Sequence, residues 1–141
     1  MISQVLVSAS AAIILLLGSA HLIFTFSGSK LTPRDGELRQ RMSEGYLFLT
    51  HETTVWKAWV GFNGSHSFGA ILFGLVFGYL AMLHPVFLFN SGFLLAVGFG
   101  FLASFLWLAR LYWFSAPFRG ILLSLILYVL GILFGLGLNN G

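Results

Sequence analysis

Residues 58–83 read AWVGFNGSHSFGAILFGLVFGYLAML, a run without a single Asp, Glu, Lys or Arg. Wound as an α-helix, it rises about 39 Å at 1.5 Å per residue, enough to cross a hydrocarbon core of about 30 Å. Three further apolar segments flank it, over approximately 5–26, 86–109 and 119–138. The first has the look of a signal-peptide core, but no basic residue precedes it and it exceeds the 7 to 15 residues of such cores, so it reads as a retained helix. The fold predicted is all-α: an integral membrane bundle of four helices, forming one domain over residues 1–141.

Composition supports the same class. Apolar residues make up 58% of the chain and charged residues 8%, against about 25% charged in soluble domains. With no cysteine, disulfides, thiolate metal sites, thiol nucleophiles and covalent haem attachment are excluded together. The net charge of +3 implies no nucleic acid partner, because the surplus sits where anionic lipid headgroups attract it.

The basic residues also set the orientation. Lys30, Arg34, Arg39, Arg41 and Lys57 occupy the loop 28–57, and Arg110 and Arg119 the loop before the fourth span. Lys and Arg in short loops are retained on the cytoplasmic side, so both termini are expected on the opposite side. Between spans two and three lie only His84 and Pro85 with a few neighbours, a tight antiparallel hairpin in which the missing proline N–H ends the helix.

Loop 28–57 carries its own helical signal: Thr32 as N-cap, Pro33 at the first helical position and acids in the first turn. Asp35 with Arg39 and Glu37 with Arg41 are favourable i,i+4 pairs. Leu38, Met42 and Tyr46 form an apolar stripe suited to an amphipathic helix in the membrane interface. His51 and Glu52 do not open a zinc motif, since Val55 stands where the second histidine belongs.

Polar groups at membrane depth are costly and face a neighbouring helix or a cavity. Counting 1.5 Å per residue, His21 lies about 9 Å and His66 about 12 Å inside the cytoplasmic ends of their spans. Asn63, Ser104, Ser124 and Tyr128 fall in the same layer, about 7 to 14 Å deep. Asn63 and His66 share a face at i,i+3, Ser124 and Tyr128 at i,i+4, and Thr25 stands one turn from His21. A polar pocket opening to the cytoplasm is one reading, with His21, Asn63, His66, Ser124 and Tyr128 binding the ligand. Interhelical hydrogen bonding is the other. The small residues Gly61, Ser65 and Gly69, then Ala70, Gly74 and Gly78, and Gly131 with Gly135 suit close helix packing, including self-association or a partner membrane protein.

Three function classes fit. The first is a membrane-embedded binding or accessory protein for a lipid, quinone or similar apolar molecule. The second is a haem b protein with His21 and His66 as axial ligands; no other metal site is expected. The third is a small lipid-modifying enzyme using a histidine as acid or base, with Glu44 or Glu52 as acidic participants.

The segment Trp59 to Gly69, with Gly61, Asn63, Ser65, His66, Ser67 and Gly69, together with Gly18 and His21 in the first span, resembles a family of small uncharacterised bacterial four-helix membrane proteins. The resemblance covers most of the chain. It implies the four-span fold and a bacterial inner membrane location, and it brings no assigned activity.

Overall fold

The computed structural model describes residues 1–137; Leu138, the expected end of the fourth span, lies outside the described residues. In chain order the elements are α1 (Ile2–Phe26), α2 (Gly36–Glu44), β1 (Tyr46–Leu47), β2 (Thr50–Thr54), α3 (Val55–Leu83), α4 (Pro85–Asn90), α5 (Gly92–Tyr112) and α6 (Ser115–Gly137). Four of them, α1, α3, α5 and α6, are long and apolar enough to cross a membrane, as the four-helix reading requires. The chain divides into two compact units, one of Met1–Leu17 with the residues from Ala70 onward, the other of Gly18–Gly69.

The first unit holds the apolar core, in which Val7, Ile14, Leu88, Leu102, Ile121 and Tyr128 are buried. Its helices meet where a side chain is missing. A Cβ on Gly74 of α3 would stand 2.6 Å from Leu15 Cβ and 2.8 Å from the Ala11 carbonyl oxygen of α1. On α6, Gly131 would meet Val7 Cγ2 at 2.7 Å, and Gly135 the Phe89 ring at 2.5 Å. The stripe Ala70, Gly74, Gly78 and the pair Gly131, Gly135 are thus consumed by packing within the chain, where small residues let backbones approach. Phe73 stacks between Phe77 and Phe101 at ring separations of 4.6 Å.

The segment expected as one helix over 86–109 is two helices. The chain leaves helical geometry at Ser91 (φ −97°, ψ 94°), whose hydroxyl accepts from the Leu94 amide and so caps α5. Pro85 opens the short α4 as its first residue, where a missing N–H costs nothing. The connection after α3 therefore contains a short helix of its own rather than a tight turn around His84 and Pro85.

In the second unit α1 ends near Gly28, whose φ of 91° lies where only glycine is comfortable. Thr32 closes a turn onto the Ser29 carbonyl, and the cap of α2 is Asp35, which accepts from the Glu37 and Leu38 amides. The carboxylate outcompetes the expected Thr32 cap because it meets two orphan amides at once. Of the two expected ion pairs, Arg41 with Glu37 forms. Asp35 is taken up by its cap, and Arg39 lies over the Trp56 ring at 5.3 Å. The apolar stripe stops at Met42, because Tyr46 belongs to a hairpin that the helical reading missed: β1 and β2 pair antiparallel, with Leu47 opposite Thr50. Its signal was the β-favouring run of Tyr, Phe and Thr residues over 46–54.

Candidate functional site

His21 on α1 and Asn63 and His66 on α3, all within the second unit, come together as their depth suggested. His21 Nε2 lies 3.0 Å from Asn63 Oδ1. The other end of that amide, Nδ2, donates to the Trp59 carbonyl at 2.8 Å. A carbonyl only accepts, so the NH2 end of Asn63 must face Trp59 and its oxygen must face His21. His21 is then the donor, its Nε2 carries a proton, and in the neutral ring Nδ1 keeps the lone pair. The His66 ring meets the His21 ring edge to face, with centroids 5.3 Å apart and planes at 74°.

The backbone around this cluster is supported by its own side chains. Thr25 Oγ1 donates to the His21 carbonyl at 2.8 Å, and Ser67 Oγ to the Asn63 carbonyl at 2.9 Å. These i,i+4 bonds satisfy the hydroxyls within their own helices. Trp59 Nε1 donates to the Leu31 carbonyl at 3.2 Å and Lys30 Nζ stands 4.0 Å over the Phe24 ring, so the loop after α1 is held against both helices. A narrow cleft lies between these parts, lined by Phe24, Thr25, Leu31, Thr32, Trp56, Trp59, Val60 and Asn63. It offers about 10 Å³ to the centre of a water-sized sphere, room for about one water and far below the 300 Å³ or more of a pocket that engulfs a small molecule.

Ser124 and Tyr128 have partners of their own in the first unit. Ser124 Oγ lies 2.8 Å from Ser10 Oγ and donates to the Ser10 carbonyl, both fully buried. The Tyr128 hydroxyl donates to the Leu95 carbonyl at 3.2 Å, under Gly98, where any Cβ would collide with the phenol. Ser104 is exposed on α5. Glu44 and Glu52 are exposed on α2 and β2, Glu44 accepting from Gln40. The histidine rings are in direct contact rather than facing each other across the gap a porphyrin would fill, and one ligating nitrogen of His21 is committed to Asn63. Among the described residues no three His, Cys, Asp or Glu side chains gather as a metal site.

Two features escaped the sequence. Trp56 and Trp59, which suit an aromatic belt at the interface, line the cleft beside Asn63. Ser10, the partner of Ser124, carries no signal beyond sharing a helix face with Val7 and Ile14. A hollow of about 700 Å³, wide open around α4, contains none of the predicted site residues. No protein-family model, curated protein or solved structure matches this chain.

Proposed function

We propose that the protein is a membrane-embedded binding or accessory protein that holds a lipid, a quinone or a similar apolar molecule by its polar head at His21, Asn63 and His66. The observation that carries the reading is the paired contact itself: an amide oriented by Trp59, a histidine oriented by that amide, and a second histidine ring against the first. The neutral His21 ring keeps an acceptor at Nδ1 and the Asn63 amide a second N–H beside the one given to Trp59, so the cluster offers both an acceptor and a donor to a hydroxyl or carbonyl. The adjoining cleft admits such a group in place of one water, while the apolar remainder of the ligand stays among lipid chains. Ser124 and Tyr128, engaged with Ser10 and Leu95, are left out of this site. In this reading α1, α3, α5 and α6 span a bacterial inner membrane with the loop 28–57 in the cytoplasm.

The test is thermal unfolding in mild detergent with added ubiquinone-type quinone or phospholipid. A ligand that binds only the folded state at 100 times its Kd stabilises it by about 2.7 kcal/mol. One of the two probes is expected to raise the Tm of the wild type and leave Asn63→Leu unmoved. No rise with either probe, or an equal rise in the variant, overturns the proposal.

A further inference from the structure

The turn joining β1 to β2 consists of Phe48 and Leu49 alone, since Leu47 pairs with Thr50. Two-residue hairpin turns favour Gly, Asn and Asp, because their preferred forms need a positive φ. Here the two positions carry large apolar side chains, and among the described residues no non-glycine adopts a positive φ. Turn geometry therefore does not account for them. Nor does packing: Phe48 is 110% exposed and Leu49 91% exposed, on a loop whose neighbouring residues are largely charged or polar.

The base of the hairpin is fixed to the start of α3. The Val55 amide donates to the Gly45 carbonyl at 2.9 Å, which closes the hairpin's open end. Thr54, the last residue of β2, caps α3 by accepting from the Lys57 amide at 3.3 Å. At about 3.3 Å per residue the tip stands no more than about 17 Å from Thr54. The first turns of α3 carry Trp56, Lys57 and Trp59, residue types that settle at the headgroup level, a zone about 5 to 8 Å deep on each side of the core.

From the exposure, the turn chemistry and this short, fixed tether we infer that Phe48 and Leu49 form a wedge that inserts into the bilayer interface on the side of the loop 28–57. The occupant of this surface is lipid: apolar tips enter the boundary between headgroups and acyl chains, while exposed cations such as Arg34 and Lys57 remain with the headgroups. The inference rests on α3 spanning a bilayer.

The chain has no cysteine, so single nitroxide labels can be placed without altering native thiols. Phe48→Cys, Leu49→Cys, Gln40→Cys on the polar side of α2, and Phe68→Cys in mid-α3 would each be labelled. Each would be reconstituted in vesicles of phosphatidylcholine and phosphatidylglycerol in equal parts, and its collision rates with oxygen and with a water-soluble nickel chelate compared by electron paramagnetic resonance. The oxygen-to-nickel ratio at 48 and 49 is expected to exceed that at 40 several-fold and to approach that at 68. A high ratio at 68 with ratios at 48 and 49 equal to that at 40 overturns the wedge alone and leaves the tip to a protein partner. A low ratio at 68 as well overturns the spanning helix and the wedge together.

Discussion

The side-chain amide of Asn63 has both ends committed, one to Trp59 and one to His21, and the consequences can be measured residue by residue. Asn63→Leu removes the acceptor for His21 Nε2. Hydrogen bonds between helices in a membrane are worth about 0.6 to 2 kcal/mol, so the variant is expected to unfold about 1 kcal/mol more easily in a detergent titration. A double-mutant cycle with His21→Leu should return a coupling of about the same size, and a coupling near zero would show that the bond is not formed in the folded protein. The meeting of His21, Asn63 and His66 was legible because depth follows from counting residues, and two of the three also share a helix face. Ser124 and Tyr128 were grouped with them by depth alone. Depth is one coordinate; the rotation of a helix about its axis is another, and in a helix apolar all round no polar face reveals it.

Among the helices, the glycines of α3 divide into two kinds. Gly74 abuts Leu15 and Ala11, whereas an added Cβ on Gly61 or Gly69 meets nothing within 4 Å. Gly74→Ala overpacks a helix seam and is expected to lower stability by about 1 to 3 kcal/mol. Gly61→Ala is expected to be neutral or to stabilise by up to about 1 kcal/mol through helix propensity. Thermal melts of the two variants check the order, and a larger loss at Gly61 would contradict the packing described. In α2 the cap makes a comparable distinction. Asp35→Ala should cost about 1 kcal/mol and speed hydrogen exchange at the Glu37 and Leu38 amides, while Thr32→Ala should leave those amides as they are. The sequence signalled a helix here but misplaced its start by three residues, because Thr32 and Asp35 both have capping side chains and only the number of amides each reaches separates them. The hairpin was obscured for a related reason: Tyr46 continued the four-residue stripe of Leu38 and Met42, and the β signal that follows is short.

For the whole molecule, the four long apolar helices were readable from hydropathy because nothing but lipid or protein can solvate such runs. The break at Ser91 was not, since a serine cap leaves hydropathy almost unchanged. The proposed orientation makes a direct prediction in intact bacterial cells. A membrane-impermeant maleimide should label His84→Cys from outside, and Glu52→Cys only after lysis; the reverse pattern would invert the topology.

The measurement that bears most directly on the binding site is native mass spectrometry of the protein released from mild detergent, comparing the wild type with Asn63→Leu, His66→Ala and, as a polar substitution elsewhere, Ser124→Ala. A small-molecule mass is expected to be retained on the wild type and on Ser124→Ala and to disappear from both variants of the cluster. A bare wild-type chain, or an adduct that survives the loss of Asn63 and His66, would mean that the cluster is hydrogen-bonded packing and that any ligand is held elsewhere.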